Sequence, residues 1–395
     1  MTSPLPLFAP LRLRGASIRN RIALSPMCMY CARDGLVSDF HMAHYAGFAM
    51  GGTGLVWLEA TAIHPEGRIS NGCLGIWDEA QRPGLQRLAG QIAAFGAVPG
   101  IQLNHAGRKA AAKPAWAGGA PLTPDTLGEG ERLWRPIGPS EVAFAEGWQA
   151  PRAMSLDDIA ALRNDFVVAA GRAVRAGFQM VELHFAHGYL IQSFLSPLAN
   201  HRTDLYGGSL ENRMRLAIEI AGDVRKALPD EIPLTIRISA TDWIEGGWTM
   251  DDSLVLAKAL KAAGVDMLDV SSGGNMVQGV ANSALTQRAG YQTEFAHRIR
   301  SATGLPVQTV GLIRSAAFAN SLLEDGTADM VALGRQMLFN PRWAAHAYQE
   351  LAAPGDFSNW PPPYGWWLEK WSRSLARKGE TPFSAEGGLD AKNAT

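Results

Sequence analysis

Hydrophobic and polar positions follow a pattern that repeats about eight times along the chain. Short β-type runs, rich in Val, Ile and Leu, are each followed by a longer stretch with helical character. The runs are RIALS, GLVWLEAT, GIQLNHAG, MVELHF, LTIRISA, MLDVSSG, PVQTVG and MVALGR. Such alternation predicts a parallel sheet with helices outside it.

The helical stretches carry recognisable start signals. The stretch before MVELHF has one apolar face, formed by Ile159, Leu162, Phe166, Ala169 and Ala173. Ser155 and Asp158 have capping-box spacing at its start, and Thr249 and Asp252 repeat that spacing before a later stretch. These signals predict that helices begin at both places.

The number of units favours a closed barrel. Eight βα units within 395 residues match a (β/α)8 TIM barrel better than a doubly wound sheet, because no long second domain is left over. A Pro-, Gly- and Trp-rich excursion without helical periodicity follows the third strand, roughly from Lys109 to Met154. We expect one barrel domain over residues 1–368 and a partly mobile tail over 369–395, which has the composition of a terminus.

Charge and composition point to small-molecule partners. The chain has 36 basic and 37 acidic residues, a formal charge of −1 and no long run of either sign. This pattern favours neither a nucleic acid nor a membrane as partner. No uninterrupted apolar segment resembles a signal peptide or a membrane span, so the cytoplasm is the expected location. Three cysteines argue against a disulfide framework.

Polar residues cluster where the predicted strands end. In a TIM barrel the catalytic face is built from the loops after these ends. The residues there are Ser25, Pro26, Met27, Cys28, Glu59, Ala60, Gln102, Asn104, His105, His184, His187, Tyr189, Arg237, Gly311, Gly334 and Arg335. We therefore expect the functional site to include several of these side chains.

Two glycine-bearing turns follow the seventh and eighth strands. Backbone N–H groups in such turns can hold a phosphate, and Arg335 would add a charge-assisted contact. Gly311 and Gly334 could also serve only to permit tight turns. Their combination with Arg335 favours the phosphate interpretation.

Arg237 lies within the fifth strand, where its side chain should face the barrel interior or mouth. An unpaired guanidinium there is costly to desolvate, so it requires an anionic or polar partner. A reduced flavin, negative at one ring edge, is one candidate. A structural salt bridge to Glu59 or Asp269 is the other, and the sequence does not decide between them.

The segment HFAHGY places two histidines and a tyrosine at one strand end. No third ligand is evident near His184 and His187, so a metal site is not supported. Two imidazoles can instead donate hydrogen bonds to a carbonyl oxygen while Tyr189 delivers a proton. A purely structural role in the core is the alternative, and the grouping at a barrel mouth favours function.

Several motifs are absent from the sequence. It contains no G-x-G-x-x-G after a strand, no Walker A motif and no H-E-x-x-H. A nicotinamide cofactor would therefore visit as a substrate. Lys109, like the other lysines considered, falls in the excursion or on a helix rather than at a strand end, which weakens a Schiff-base aldolase interpretation.

The C-x-x-C spacing of Cys28 and Cys31 suggests a redox pair or half of a zinc site. The spacings to His41 and His44 are shorter than a zinc finger requires. Those histidines also belong to a predicted first barrel helix that begins at Ser38 or Asp39. The zinc interpretation is therefore weak.

The chain resembles the Old Yellow Enzyme family of FMN-dependent ene-reductases from about Leu7 to Leu368. The resemblance is carried by HFAHGYLIQSFLSPLANHRTDLYGGSLENR, together with SPMCMY, IQLNHAGR, VGLI and LGR in the expected order. The His-x-x-His pair, His184 and His187, is similar to that of the thermophilic-like or xenobiotic-reductase branch. Cys28 and Tyr30 match that branch, whereas Cys31 matches no required position.

The resemblance implies a site and a mechanism. The residues that would line FMN are Ser25, Pro26, Met27, Cys28, Ala60, Gln102, Arg237, Gly311, Gly334 and Arg335. His184, His187 and Tyr30 would bind a substrate carbonyl, Tyr189 would donate a proton, and the Cys28 thiol would tune the flavin. NADPH or NADH would reduce FMN and leave before an activated alkene enters, in a ping-pong reaction. The alternatives are a related barrel reductase for another xenobiotic or dienoyl substrate, or a flavin-binding barrel without turnover.

The segment NWPPPYGWWLEKW places several tryptophans near the chain end. Exposed on a monomer, they would form a large apolar patch. In the resembled branch a residue near this point enters the neighbouring subunit's site. We expect a homo-oligomer, a dimer or tetramer, in which Trp366 or Trp367 contacts the partner's substrate pocket. Packing of these aromatics against their own barrel is the alternative.

Overall fold

A computed structural model describes residues 5–276, 288–352 and 355–379, in which eight parallel strands close into a barrel. The barrel strands are β1 (Ile22–Leu24), β2 (Leu55–Ala62), β3 (Val98–Asn104), β4 (Met180–Phe185), β5 (Leu234–Ser239), β6 (Met267–Ser271), β7 (Val307–Thr309) and β8 (Met330–Leu333). Each pairs with its sequence neighbours, and β8 pairs with β1. The predicted (β/α)8 barrel is confirmed, and each predicted run overlaps one strand, although β2 ends one residue after its run and β3 begins two residues before its run.

Helices surround the barrel or extend its loops. They are α1 (Asp39–Met50), α2 (Arg82–Ala94), α3 (Leu156–Arg175), α4 (Leu190–Leu195), α5 (Leu210–Ala227), α6 (Met250–Ala262), α7 (Thr293–Thr303), α8 (Ala316–Glu324), α9 (Arg335–Phe339), α10 (Trp343–Leu351) and α11 (Pro362–Ala376). The predicted caps are present: Ser155 accepts from the Asp158 N–H, and Thr249 accepts from the Asp252 N–H, both at 3.1 Å.

The alternation along each strand produces two apolar regions. Outward-facing residues such as Val181 and Leu183 of β4 pack with the outer helices, including Phe166 of α3. Inward-facing residues such as Met180 and Met267 fill the lower barrel with Trp57. Because the side-chain period of a strand is two, one sequence pattern supplies both the outer and the inner packing.

A short antiparallel hairpin covers the lower end of the barrel. Its strands are Leu11–Leu13 and Ala16–Ile18, and they pack with the lower interior residues. The Gly15 N–H at its turn donates to the Glu231 carbonyl at 2.9 Å. The opposite end, where the carboxyl ends of the strands lie, is left for a site.

The segment between β3 and α3 has no long helix. It contains short 3₁₀ turns and one pair of two-residue strands, Ile137–Gly138 and Arg152–Ala153. Arg108, 1% exposed, donates to the Ala143 carbonyl at 3.2 Å and to Asn275 Oδ1 at 2.9 Å. This arginine therefore fastens the excursion to the loop after β6.

The C-terminal region is helical beyond the expected domain boundary. Helix α11 extends to Ala376, so residues 369–376 are helical, while 380–395 lie outside the described residues. Trp343 and Trp360 are buried, whereas Trp366 and Trp367 are 57% and 63% exposed. Within the described ranges, none of the helices is long and apolar enough to cross a membrane.

Candidate active site

The turn after β4 brings His184, His187 and Tyr189 together. His187 and Gly188 both adopt positive φ, +61° and +74°, and thereby reverse the chain between β4 and α4. The His184 ring lies 5.0 Å from the His187 ring and 4.9 Å from the Tyr189 ring, measured between centroids, in nearly perpendicular pairs. The predicted trio therefore forms one compact group.

A buried carboxylate holds this turn in place. Gln192 Oε1 accepts from the Gly188 N–H at 2.5 Å, and Gln192 Nε2 donates to Asp242 Oδ1 at 2.7 Å. Asp242 Oδ2 also accepts from the Ser196 hydroxyl at 2.5 Å. Since Gln192 and Ser196 are one helical turn apart, α4 presents both to the same carboxylate. This network was not anticipated from the sequence.

Both histidines are neutral at physiological pH. Burial lowers the pKa of His184 and of His187 well below 6.5, and the nearby Arg237 and Lys109 charges lower both further. His184 Nδ1 accepts from the Ala186 N–H at 3.3 Å, so the neutral ring carries its proton on Nε2. His184 Nε2–H is therefore available as a donor.

Ser271, which was not among the residues expected at the strand ends, orients the His187 ring. His187 Nε2 lies 2.8 Å from Ser271 Oγ, and the His187 backbone N–H donates to Ser239 Oγ at 3.0 Å. Ser271 occupies the last inward-facing position of β6. The period-two pattern of MLDVSSG could have identified it as a residue of the barrel mouth.

Tyr189 is a protonated phenol in a closed environment. Burial raises its pKa well above 10, and Cys28 and Tyr30 nearby contribute in the same direction. The Tyr189 ring lies 5.2 Å from Lys109 Nζ. The phenol can therefore donate a hydrogen bond or a proton, and a cation lies near its ring.

Lys109 belongs to the site, contrary to its expected position away from a strand end. It lies in the 3₁₀ turn Gly107–Lys109, shortly after β3. Its ammonium donates to the His187 carbonyl at 2.9 Å and to the Gly274 carbonyl at 3.0 Å. Burial lowers the pKa of Lys109 to about 8. The sequence did not indicate this position, because the turn that contains Lys109 folds back toward the carboxyl ends of the barrel strands.

Cys28 and Cys31 have different surroundings. Cys28 packs with Tyr30, Tyr189 and the buried Cys73, and burial raises the pKa of the Cys28 thiol well above its usual value. The Cys31 thiol instead donates to the Met29 carbonyl at 3.2 Å. All three cysteines are free. The C-x-x-C spacing therefore does not correspond to a formed disulfide.

The first barrel helix supports the loop that carries Cys28. A β-bulge in β2 turns Glu59 toward α1, where its Oε1 lies 3.3 Å from both His41 Nε2 and Tyr45 Oη. Glu59 Oε2 accepts from the Met29 N–H at 3.0 Å. His41 thus serves this network, and no cluster of three or more metal-ligating side chains occurs among the described residues.

A cavity of about 400 Å³ opens beside the histidines, between the ends of β5 to β8. Its lining includes Ser271, Tyr291, Gln292, Arg237, Gly311, Gly334 and Arg335. Gly311 has φ +132°, and an added Cβ would lie 3.2 Å from Gln292 Nε2, so glycine is required there. Tyr291 and Gln292 lie between β6 and α7, immediately before the helix rather than at a strand end, so no strand-end pattern indicates them.

Arg237 has partners of both expected kinds. Its Nε lies 3.4 Å from Asp269 Oδ2, which confirms the salt-bridge alternative, whereas Glu59 is engaged by α1. Its Nη1 also donates to Ser25 Oγ at 3.4 Å, and its side chain lines the cavity. The salt bridge thus leaves the guanidinium available to a ligand.

The cavity can hold a ligand that carries an anion, because its lining includes the Arg237 guanidinium, the glycine-bearing turns at Gly311 and Gly334, and Arg335. Cys28, Ala60 and Gln102 lie outside this lining: Cys28 and Ala60 share one cluster, and Ala60 pairs with Gln102 across β2 and β3. These features match the requirements of flavin mononucleotide, whose ring edge and phosphate both accept hydrogen bonds from cations and N–H groups.

A closed eight-stranded barrel with such a mouth defines the class of flavin-dependent TIM-barrel oxidoreductases. Residues 6–353 match the NADH:flavin oxidoreductase / NADH oxidase family, and the chain belongs to it. The protein is therefore an FMN-dependent oxidoreductase with a nicotinamide donor, of the Old Yellow Enzyme type.

Known relatives agree with this assignment. The chain is 42% identical over 347 residues to an NADPH dehydrogenase of Bacillus pumilus, covering 87% of this chain and 95% of that one. The solved Old Yellow Enzyme homologue of Zymomonas mobilis is 26% identical with a TM-score of 0.71, covering 91% and 98%. A 2-naphthoyl-CoA reductase complex reaches 0.78 at 28% identity, covering 89% of this chain, which spans only about half (53%) of that longer one.

Proposed function

We propose that the protein reduces activated C=C bonds of α,β-unsaturated carbonyl compounds, such as enones and maleimides, and activated nitro compounds. The observation that carries this proposal is that two neutral histidines, the buried His184 and the half-buried His187, lie beside the protonated Tyr189. His187 also contacts Ser271, which lines the cavity. Such a group can polarise a carbonyl oxygen and supply a proton without forming a covalent bond to the substrate.

The histidine pair would bind the substrate carbonyl oxygen. His184 Nε2–H is free to donate because Nδ1 already accepts from the backbone. His187 Nε2 lies 2.8 Å from Ser271 Oγ, whose hydroxyl can donate either to Gln292 Oε1 at 3.3 Å or to the imidazole. When the hydroxyl donates to Nε2, the ring proton is on Nδ1, which is then the second donor. Tyr30, in the same cluster as Cys28, would support the ligand from the opposite wall. These donors would stabilise negative charge that develops on the oxygen.

The cofactor would be held by the residues that line the mouth. Ser25, Pro26, Met27 and Cys28 would contact it from the β1 loop, with Ala60, Gln102 and Arg237 along the ring and Gly311, Gly334 and Arg335 at the phosphate. When bound, the flavin supplies hydride chemistry between the nicotinamide and the alkene. Tyr189 would give its proton to the α-carbon, and the closed surroundings of the phenol would exclude water.

A coupled redox titration tests the reaction class. Without oxygen, NADPH should bleach the yellow, FMN-loaded protein, and 2-cyclohexenone should restore its colour. Bleaching without recovery would contradict alkene reduction while leaving the oxidoreductase assignment intact. A panel of enones, maleimides, nitroalkenes and a dienoyl thioester would then rank the substrate classes. A clear preference for the thioester would favour the alternative that the 2-naphthoyl-CoA reductase similarity supports.

We also propose that a second copy of the chain covers the end of α11. Trp366 and Trp367 pack at 4.6 Å, with Lys370 over both rings, yet more than half of each side chain is exposed. Burying these rings in a partner would remove apolar surface from water. This favours an oligomer in which Trp367 reaches the partner's substrate pocket.

Trp367→Ala tests this arrangement. The substitution should weaken the oligomer in sedimentation velocity and change the preference between small and bulky enones. Trp116→Ala is the matched control, because Trp116 is 75% exposed but lies in the excursion. Unchanged association and unchanged preference in Trp367→Ala would contradict the shared pocket.

A further inference from the structure

The interior of the barrel contains a polar layer between its apolar floor and the histidines. On β4 the inward-facing residues run from Met180 through Glu182 to His184, and on β6 from Met267 through Asp269 to Ser271. Between the apolar floor and the histidines lies what we call the interior polar layer. It consists of buried polar side chains from the barrel strands: Gln102, Glu182, Thr235, Arg237, Asp269 and Gln308. Interiors of such barrels are ordinarily filled by apolar side chains, so this layer needs an explanation.

Few of the polar atoms in this layer have a hydrogen-bond partner among other protein groups. Gln102 Nε2 donates to Glu182 Oε1 at 2.8 Å, and the Trp57 indole donates to Gln308 Oε1 at 3.3 Å. Glu182 Oε2 and Thr235 Oγ1 are buried and have no hydrogen-bond partner in the described part of the chain. Arg237 Nε and Asp269 Oδ2 form an ion pair at 3.4 Å, but neither atom makes a hydrogen bond. Buried polar groups are almost always paired, with ordered water where protein partners are lacking.

The layer holds two carboxyl groups and one guanidinium. Glu182 and Asp269 are both 0% exposed, and burial raises the pKa of each. The charge of Asp269 raises the pKa of Glu182 further, while Arg237, 3.4 Å from Asp269, favours an ionised partner. Two carboxylates in one dry site cannot both ionise at low cost. One ionised acid beside Arg237 and one protonated acid make the layer neutral.

We propose that the interior polar layer binds water and retains one proton on Glu182 while Asp269 is ionised beside Arg237, and that the resulting neutrality of the layer sets the reduction potential of the bound flavin. Arg237 is the link, because the same side chain contacts Asp269 below and lines the cofactor cavity above. The proposal concerns the flavin alone and does not depend on which alkene is reduced.

The link to the cofactor is electrostatic. Reduction adds negative charge to the flavin, and a guanidinium without a counter-charge stabilises that charge more strongly than a neutralised one. Glu182 accepts from Gln102 and Asp269 pairs with Arg237, so both acids would act on the flavin through these neighbours and are positioning residues. Their removal should act on the potential rather than on substrate binding.

The midpoint potential of the FMN-loaded protein tests the proposal. Glu182→Gln replaces a protonated acid by a neutral isostere that still accepts from Gln102, so the potential should stay within a few millivolts of the native value. Glu182→Gln combined with Asp269→Asn leaves Arg237 uncompensated, so the equilibrium should move at least tenfold toward the reduced flavin, about 30 mV for two electrons. Thr235→Val is the matched control in the same layer and should not change the potential.

An infrared measurement keeps the proposal testable if the double variant does not fold. The native holoenzyme at neutral pH should show the C=O stretch of a protonated carboxylic acid, which carbon-13 labelling of the protein separates from flavin bands. Glu182→Gln should remove this band. The proposal is overturned if the native protein lacks the band, if Glu182→Gln shifts the potential as much as the double variant, or if the double variant leaves the potential unchanged.

Discussion

His184 and His187 carry no positive charge because their surroundings oppose it. Both rings are enclosed by the barrel mouth, and Arg237 and Lys109 already supply positive charge nearby. A neutral imidazole still has one N–H to donate, so burial converts each histidine into a hydrogen-bond donor that does not titrate near neutrality. The same enclosure keeps Tyr189 protonated.

The two cysteines of the β1 loop should respond differently to substitution. Cys28→Ala removes a partly buried thiol from the cluster with Tyr30 and Tyr189, so we expect a shifted flavin potential and altered steady-state kinetics. Cys31→Ser keeps a donor to the Met29 carbonyl and should change little. Potentiometry of the two variants beside the native protein checks this. Equal shifts in both would revive the redox-pair interpretation.

At the residue scale, the sequence predicted groups that are regularly placed on strands. The histidine pair and Tyr189 follow directly from the end of β4, and Arg237 from the inward period of β5. Lys109 was missed because its position depends on a non-local fold: the excursion returns it to carbonyls of residues 187 and 274. No periodic pattern encodes such a contact.

At the scale of elements, the turn between β4 and α4 depends on a close approach to the loop after β6. A Cβ on Gly188 would lie 2.3 Å from the Gly274 carbonyl oxygen, and a Cβ on Gly274 would lie 2.5 Å from His187 Cα. Both glycines also have positive φ. Two features explain the segment HGYLIQSFLSP. One is the close approach of Gly188 and Gly274, and the other is the hydrogen-bond network of Asp242, which requires Gln192 and Ser196.

Gly188→Ala should therefore damage the site beyond its backbone strain. The matched control is Gly208→Ala, which has a similar positive φ of +78° but no atom within 4 Å of the added Cβ. We expect the control to lower the free energy of unfolding by about 1 kcal/mol. Gly188→Ala should lower the free energy of unfolding clearly more than the control and should also weaken enone binding. Urea unfolding and ligand titration of both variants measure the difference. Equal behaviour would show that the loop contact is unimportant.

At the scale of the whole molecule, buried neutral histidines make stability depend on pH. Burial lowers the pKa of His44 to about 4 and of His105 to about 3, and the active-site pair is lowered as well. In the unfolded chain these groups have a pKa of about 6.5. Below that pH the unfolded state binds more protons than the folded state, so stability falls as pH falls.

Urea unfolding at pH 7 and pH 5 measures this effect. Each such histidine should contribute up to about 1.4 kcal/mol per pH unit to the decline in unfolding free energy. His44→Phe, which preserves the packing against Phe48, should reduce the slope by about that amount. His201→Gln, on an exposed side chain, is the control and should leave the slope unchanged. A native protein equally stable at both pH values would contradict the assignment.

The overall barrel was predictable because eight repeats of one pattern leave few alternative topologies. The extent of the last helix was harder to predict. Helix α11 continues to Ala376, past residue 368, where the barrel domain was expected to end. Its tryptophans lie at helical spacing, yet Pro, Gly and Ser around them reduce the helical signal. Composition alone therefore does not indicate that helix α11 continues past residue 368.

In the proposed reaction, Tyr189 protonates an alkene whose carbonyl is bound by the histidine pair. Anaerobic stopped-flow measurement of Tyr189→Phe tests it most directly, with Tyr206→Phe as control because that hydroxyl bonds Glu219 at 3.0 Å. Flavin reduction by NADPH should stay near the native rate, while reoxidation by 2-cyclohexenone should fall about 100-fold or more. Reoxidation at the native rate in Tyr189→Phe, or an equal fall in both half-reactions, would contradict the account.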